Sequence, residues 1–303
     1  MGAETLVMTT PRPFGRALCA MITPFTADGA LDLGTAARHA AGLVARGCEG
    51  LVLNGTTGES PTTSDAEKSA LIGVVREAVG ESVPVVAGVG SADTRHTVEL
   101  ARAAERAGAD GLLVVTPYYS RPPQAAVEAH FRTVADATGL PLMLYDIPGR
   151  TGTRIEVETV LRLADHPRVV AVKDCAYDLL GSAKVIGRTS LAYYSGCEEL
   201  NLPLYAVGGA GFVSTVANVA PEPLRAVLDA FDAGDTARAA ELNRLVLPLT
   251  ELMMAAGLPG AVTAKALLRA GAVRAPLQPA GREAADGLFR AYEELTARTD
   301  AGG

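Results

Sequence analysis

Tryptophan is absent from the 303-residue sequence, and aromatic residues make up only 5% of it. Cysteine is scarce, with no Cys-x-x-Cys pair, so neither a zinc site nor a disulfide framework is predicted and reduced thiols of a cytoplasmic protein are expected. No run approaches about 18 apolar residues, and the N-terminus lacks a secretory pattern, so we expect no membrane span. The cysteines are Cys19, Cys48, Cys175 and Cys197.

Positive charge is also in short supply. The 27 Lys and Arg residues are outnumbered by 34 Asp and Glu residues, and no basic cluster suited to phosphates is present, which argues against a nucleic-acid partner. Gly88-Val-Gly90 lacks the third glycine of a dinucleotide fingerprint, so no nucleotide cofactor is predicted. The histidines lie on or beside predicted helices, and we expect packing or surface roles for them and no metal site. They are His39, His96, His130 and His166.

Aliphatic residues are abundant and recur in eight short runs with few alternating polar positions. This is typical of parallel strands that covering helices bury on both faces. Helical segments separate the runs, and glycines at Gly47, Gly80, Gly108 and Gly139 are placed to end helices. The runs span residues 18–22, 50–53, 84–88, 111–115, 141–145, 169–172, 191–195 and 209–213.

The repeated unit predicts an α/β fold, a (β/α)₈ TIM barrel over residues 14–233, in preference to an open doubly wound sheet. Helices are predicted at residues 221–233, 236–256, 260–270 and 281–299. The first closes the barrel, and the others form a C-terminal helical extension over residues 234–303 that packs on it, because no linker separates them.

Active sites of such barrels lie at the C-terminal ends of the strands, which makes Lys173 a candidate nucleophile. Lys173 follows the apolar run 169–172, where burial lowers the pKa of an amine, and a neutral amine attacks ketones. From position alone, the preferred explanation is a lysine that extends its stem to solvent or pairs with Asp174, so neighbouring residues have to decide between the two.

Other polar groups at strand ends supply what Schiff-base chemistry requires. Tyr145 follows a neighbouring strand and is placed to shuttle protons, with Thr57 as a relay. The loop Gly55-Thr-Thr-Gly58 is suited to hold a carboxylate on backbone N–H groups. Taken singly, each of these groups also has an ordinary structural explanation.

In combination, the motifs resemble the dihydrodipicolinate synthase / N-acetylneuraminate lyase family over residues 14–270. The motifs are Gly55-Thr-Thr-Gly-Glu-Ser60, Thr116-Pro-Tyr-Tyr119, Tyr145-Asp-Ile-Pro-Gly-Arg-Thr-Gly152 and the strand that ends at Lys173. The resemblance implies that Lys173 forms a Schiff base with pyruvate and that the enamine attacks aspartate 4-semialdehyde. It also implies that no metal or organic cofactor takes part.

The resemblance assigns roles to further residues. It implies a proton-relay triad of Thr57, Tyr119 and Tyr145, and a pyruvate carboxylate held on Thr56 and Thr57. Arg150 would bind the carboxylate of the second substrate, and Gly196 and Val213 would line the pocket. It further implies a homotetramer, a dimer of dimers, in which Tyr119 crosses the tight-dimer interface to a neighbouring site.

Departures from the family pattern leave alternatives open. Cys175 and Cys197 stand where a small and an acidic residue are usual, so another pyruvate-dependent aldolase or dehydratase, acting on a sugar acid or hydroxy-oxo acid, remains an alternative. A catalytically silent small-molecule-binding barrel is a further alternative. Where the family is inhibited by lysine, the site lies beside Tyr118, and the residues here predict weak or absent inhibition. Those residues are Asp65, Lys68, Ala92 and His96.

Overall fold

Eight parallel strands form the centre of the molecule: β1 (Ala17–Ala20), β2 (Gly50–Leu53), β3 (Val85–Gly88), β4 (Gly111–Val115), β5 (Leu142–Asp146), β6 (Val169–Asp174), β7 (Ala192–Ser195) and β8 (Gly211–Ser214). They are seen in a computed structural model that describes residues 11–254 and 257–300. Each strand pairs in parallel with the next, and β8 pairs with β1, so the sheet is a closed barrel. The predicted TIM barrel is confirmed, with strand boundaries within two residues of those expected.

Two apolar layers explain why the strands contain so few polar residues. Alternate side chains such as Leu18, Val52, Val86 and Met143 fill the barrel interior. The intervening ones, such as Cys19, pack against the helices outside. A strand buried on both faces gains nothing from polar alternation, and every residue of most strands is buried.

Helices cover the outside of the barrel. Ser64 and Glu67 form the capping box expected at the start of the second helix, and Gly80 ends it. Gly47 and Gly108 follow helices with φ near +100° and +92°, a conformation that favours glycine. Gly139 is different, because the preceding helix already ends at Asp136 and has Ala137 as its C-cap. The helices are α1 (Leu33–Ala45), α2 (Asp65–Val79), α3 (Thr94–Arg106), α4 (Gln124–Asp136), α5 (Pro148–Thr151), α6 (Val157–Leu163), α7 (Leu179–Ile186), α8 (Asn201–Ala206), α9 (Pro221–Asp232), α10 (Thr236–Met253), α11 (Gly260–Leu268) and α12 (Arg282–Asp300).

The C-terminal helices pack against helices of the barrel and against one another. Helix α10 packs against α9, and α12 packs against α10 and α11. The expected boundary at residues 233 and 234 lies in the turn between α9 and α10. The predicted helix end at residue 256 and the last residues of the extension, 301–303, lie outside the described residues. Among the described helices, none is long and apolar enough to cross a bilayer.

Candidate active site

Lys173 lies near the C-terminal end of β6, which continues two residues beyond the predicted run. Only 6% of the residue is exposed, and in the register of the sheet Lys173 stands between Tyr145 on β5 and Tyr194 on β7. Its amine lies 4.6 Å from the centroid of the Tyr145 ring. Side chains alternate along a strand, so Lys173 points into the barrel while Asp174 points away from it.

Asp174 does not pair with Lys173. The Asp174 carboxylate accepts hydrogen bonds from the Ser182 hydroxyl and the Ala176 N–H, both at 2.6 Å. Within the part of the chain that the structure describes, the Lys173 amine forms no ion pair or hydrogen bond. The alternative of a lysine held by its neighbouring carboxylate is therefore wrong.

Burial lowers the pKa of Lys173 because a charged ammonium is poorly solvated in the barrel interior. The negative charges that Cys175 and Glu198 can carry act in the opposite direction. A lowered pKa makes more of the neutral, nucleophilic amine available near neutral pH than an exposed lysine provides.

Tyr145 is 5% exposed, and its phenol is close to both Thr56 and Cys175. Burial raises the pKa of Tyr145, and a hydrogen bond from Thr56 and the positive charge of Arg150 oppose that rise. The phenol therefore stays protonated beside Lys173 and is placed to donate a proton.

Thr56 and Thr57, in the loop after β2, differ in their surroundings. The buried Thr57 hydroxyl forms a 2.9 Å hydrogen bond with the hydroxyl of Thr215, beyond β8. Thr56 is exposed to the barrel mouth and is the threonine that interacts with Tyr145. Sequence reasoning placed Thr57 as the relay, but it is Thr56 that lines the same cavity as Tyr145.

Glu198, which sequence reasoning missed, anchors the loops on this side of the mouth. Its carboxylate is 5% exposed and accepts hydrogen bonds from the Ser214 hydroxyl and the N–H groups of Thr215 and Val216, at 2.6 to 3.0 Å. Burial raises the pKa of Glu198, while these hydrogen bonds stabilise its charged form. An acidic residue soon after a predicted strand was the only signal in the sequence.

Gly196 is a glycine because Lys173 and Cys175 occupy the space beside it. A Cβ at this position would lie 2.5 Å from Cys175 Sγ and 2.7 Å from Lys173 Cε, far inside contact distance. Val213 on β8 is 1% exposed and belongs to the same interior cluster as Tyr145 and Cys175. The structure thus brings Gly196 and Val213 to the interior around Lys173.

Arg150, on the short helix α5, faces a cavity of about 610 Å³ at the barrel mouth. Thr56, Tyr145 and Tyr118 line the same cavity. Within the described residues the Arg150 guanidinium has no hydrogen bond or ion pair, so its fork of donors is available to a carboxylate. The cavity also reaches the four residues considered for lysine inhibition, Asp65, Lys68, Ala92 and His96.

Tyr119 is the one candidate that is not brought to the site of its own chain. The Tyr119 side chain is 95% exposed, whereas the adjacent Tyr118 is 40% exposed and lines the cavity. Its φ of +75° is in the left-handed region, which a bulky side chain rarely adopts.

A second cavity and the distribution of potential metal ligands add nothing to this site. A cavity of about 790 Å³ lies between α9, α10 and α12, remote from the C-terminal ends of the strands. Among the described residues, no cluster of three or more His, Cys, Asp or Glu side chains is arranged to hold a metal ion.

Comparisons of the whole sequence with known proteins all point to one family. The model of the dihydrodipicolinate synthetase family matches residues 13–294. The 4-hydroxy-tetrahydrodipicolinate synthase 1 of Streptomyces coelicolor is 73% identical over 295 residues, covering 96% of each protein. The 4-hydroxy-tetrahydrodipicolinate synthase of Acidothermus cellulolyticus is 55% identical over 295 residues, covering 96% of this chain and 95% of the relative.

Solved structures show the same likeness. A dihydrodipicolinate synthase from Bacillus anthracis superposes with a TM-score of 0.90 at 36% identity, covering 92% of this chain and 98% of that one. The enzyme from Cyanidioschyzon merolae, solved with lysine bound, superposes with a TM-score of 0.92 at 36% identity, covering 94% and 99%.

Proposed function

The chain belongs to the dihydrodipicolinate synthetase family, and we propose that its 4-hydroxy-tetrahydrodipicolinate synthase reaction proceeds through a Schiff base on Lys173. The observation that carries the proposal is the buried amine at the C-terminal end of β6, without a carboxylate partner and in contact with the Tyr145 ring. Burial lowers the pKa of this amine, and the neutral form that this favours is the nucleophile that imine formation requires.

The reaction begins when the Lys173 amine attacks the keto carbon of pyruvate. The carbinolamine loses its hydroxyl as water, with a proton from the Tyr145 phenol, and leaves a protonated imine. This imine withdraws electrons, so a methyl proton is lost and an enamine forms. The enamine carbon attacks the aldehyde of aspartate 4-semialdehyde, and the amino group of that substrate then displaces Lys173 as the product cyclises.

Trapping with borohydride tests the Schiff base. Reduction of the enzyme in the presence of pyruvate is expected to add the reduced pyruvyl group to the peptide that contains Lys173. Lys173→Ala serves as the control and should remain unmodified. An unmodified wild-type protein, under conditions that label other family members, would rule out the proposed mechanism.

The proton relay runs through Thr56, because its hydroxyl interacts with Tyr145 while that of Thr57 is bonded to Thr215. Thr57 then fixes the loop whose N–H groups hold the pyruvate carboxylate. Thr56→Val and Thr57→Val form a matched pair. Thr56→Val should lower kcat by about 100-fold, the usual worth of a positioned proton-transfer group, whereas Thr57→Val should act mainly on the KM for pyruvate.

The second substrate is bound by Arg150, whose free guanidinium at the mouth is suited to the carboxylate of aspartate 4-semialdehyde. The close relatives are named as synthases for this reaction, which favours it over cleavage of sugar acids or a silent barrel. Turnover of pyruvate with aspartate 4-semialdehyde, compared with N-acetylmannosamine, tests the choice. Preference for the sugar would overturn the second substrate but leave the Schiff base in place.

The oligomer in this proposal is a homotetramer built from two tight dimers, in which Tyr119 completes the relay of a neighbouring site. Its support is the nearly full exposure of Tyr119 and its unfavourable φ, which the chain by itself does not explain. We place the enzyme in the cytoplasm, since its cysteines are all free thiols.

Inhibition by lysine is expected to be weak or absent. The Lys68 ammonium is bonded to the carbonyl oxygens of Ser60 and Thr63, at 3.0 and 2.5 Å, and His96 is bonded to Asp65 at 2.9 Å. Polar groups beside Tyr118 are thus already paired, and Lys68 repels a second ammonium. Initial rates against lysine concentration check this, and inhibition as strong as in sensitive family members would contradict it.

A further inference from the structure

Two of the four cysteines lie side by side at the mouth of the barrel. Asp174 and Ser195 are opposite each other in the β6–β7 pairing, and Gly196 donates its N–H to the Asp174 carbonyl oxygen at 2.8 Å. Cys175 and Cys197 follow by one and two residues on these neighbouring strands. Spacings of about 4.8 Å between strands and 3.3 Å along them place the two Cα atoms roughly 6 Å apart. Disulfides span Cα separations of about 4.4 to 6.8 Å.

The side chains of Cys175 and Cys197 also meet. Both are free thiols in one interior cluster, with 7% and 5% exposure, and each is close enough to shift the pKa of the other. Cys175 Sγ and Lys173 Cε both press against Gly196, which leaves no room for a Cβ. A covalent change at Cys175 is therefore transmitted to the reactive lysine by direct packing.

We propose that Cys175 and Cys197 are a modification site, a dithiol that peroxide oxidises to a disulfide, and that the disulfide displaces Lys173 from its reactive position. The second part of the proposal rests on the function proposed for Lys173. Hydrogen peroxide can reach the two thiols. Pyruvate, a larger molecule, has to reach the neighbouring Lys173, which is itself only 6% exposed.

Cys197 is the thiol that reacts with peroxide first. The neighbouring Cys175 thiol lowers the pKa of Cys197, whereas Cys197 and burial raise the pKa of Cys175. The Cys197 thiolate attacks one peroxide oxygen, the O–O bond breaks, and a sulfenic acid and a hydroxide, which takes a proton to become water, are formed. The Cys175 sulfur then attacks the sulfenic sulfur, and a second water leaves with the Cys175 proton. Two thiols are oxidised and one peroxide is reduced.

The other two cysteines are a natural control. Cys19 and Cys48 also interact, but they lie in the layer between the strands and the helices, with 0% and 4% exposure. Cys48 precedes β2, at the opposite end of the strand from the mouth. Oxidation of this pair would not touch Lys173.

The test treats the reduced full-length protein with hydrogen peroxide and maps its peptides by mass spectrometry. We expect a cross-link between the peptides of Cys175 and Cys197, lighter by two hydrogen atoms and reversed by dithiothreitol. Synthase activity should fall in parallel by about tenfold to 100-fold, the cost of misplacing a reacting group by about 1 Å, and should recover on reduction. Cys197→Ala and Cys175→Ala should each lose the cross-link and the reversible inactivation, and Cys19→Ala/Cys48→Ala should keep both.

Separate oxidation of Cys175 and Cys197 without a cross-link would overturn the proposal, as would a cross-linked protein of undiminished activity. Reversible inactivation that persists in Cys197→Ala and Cys175→Ala would also overturn it. The proposed function is tested independently, because borohydride trapping of pyruvate is done on the reduced protein and the cross-link is detected without any turnover.

Discussion

At the scale of single residues, Gly196 shows how closely the reactive lysine is packed. Its missing Cβ leaves space that Lys173 Cε and Cys175 Sγ occupy, at 2.7 and 2.5 Å from where that Cβ would lie. Both side chains belong to the C-terminal end of β6. In the register of the sheet, Lys173 also lies between Tyr145 on β5 and Tyr194 on β7. Displacement of the amine is therefore the expected response to a larger residue.

Gly196→Ala should lower kcat/KM by about 100-fold, because the Lys173 amine is pushed from its attack position. The free energy of unfolding should fall by about 1 to 3 kcal/mol, the usual cost of overpacking. Steady-state kinetics and urea unfolding measure both effects. Gly42→Ala on α1 is the control, since its Cβ would meet nothing within 4 Å, and it should leave activity unchanged. Wild-type kinetics in Gly196→Ala would contradict this account of the packing.

Asp146, the residue after Tyr145, is a second case of a side chain governed by its surroundings. It is 5% exposed, and burial, reinforced by the charge of Asp174, raises its pKa to about 7, although the Ile155 N–H donates to it at 3.1 Å. An unfolded aspartate has a pKa of about 3.9, so the folded protein binds this proton more tightly. The stability it contributes is complete below about pH 4 and is lost as the pH rises through about 7.

Asp146→Asn should remove this pH dependence while its amide oxygen still accepts the Ile155 N–H. Relative to the wild type, its free energy of unfolding should increase between pH 5 and pH 8 by at most about 3 kcal/mol, the integral of the expected slope. Urea unfolding at the two pH values measures the difference. Parallel pH profiles for the two proteins would show that Asp146 has an ordinary pKa.

At the scale of elements, a buried ion pair joins the C-terminal extension to the loop after β2. Lys265 on α11 contacts Glu59 at 2.5 Å, with side-chain exposures of 2% and 0%. Glu59 is a non-glycine residue with φ of +53°, and the Arg274 N–H donates to its other oxygen at 2.9 Å. Glu59 directly follows the Gly55–Gly58 segment that we propose holds the pyruvate carboxylate, so the ion pair connects α11 to that loop.

Lys265→Met should lower the free energy of unfolding by about 3 to 5 kcal/mol, because it leaves the Glu59 carboxylate buried without its cation. Glu59→Gln/Lys265→Met should recover part of that loss, since no lone charge remains. The control is Arg238→Met, which breaks the exposed Arg238–Glu241 pair and should cost about 0.5 kcal/mol or less. Urea unfolding compares the three proteins, and equal effects of Lys265→Met and Arg238→Met would exclude a structural role for the buried pair.

At the scale of the whole molecule, the role proposed for Tyr119 requires a contact with a second chain. A tyrosine held in the left-handed region costs on the order of 1 to 2 kcal/mol, and at 95% exposure it gains little from its own chain. Insertion into a neighbouring site would bury the ring and give its hydroxyl a function.

Complementation tests whether Tyr119 acts across an interface. Tyr119→Phe and Lys173→Ala chains, each with strongly reduced activity, are mixed, denatured and refolded together. Hybrid dimers then contain one site with an intact Lys173 and a Tyr119 from the other chain. Activity should rise well above that of either variant alone, to about a quarter of the wild type if the chains pair at random and each hybrid has one working site. No recovery in demonstrated hybrids would mean that Tyr119 acts within its own chain or not at all.

Much of this molecule follows from local sequence patterns. Eight apolar runs determined the barrel, because a strand buried on both faces has to be apolar along its whole length. The position of Lys173 at the end of such a run marked it as a candidate, since strand ends of a parallel barrel converge on one face. The same rule placed Tyr145 and Arg150 at the mouth.

Only the tertiary structure decided what lies beyond the strand ends. It directed Asp174 to Ser182 and away from Lys173, turned Thr57 to Thr215 and left Thr56 for Tyr145. It also brought Lys265 to Glu59 and Cys175 to Cys197. The period of a strand predicts which face a side chain occupies, but loop side chains are oriented by partners distant in sequence, and local patterns contain no record of those partners.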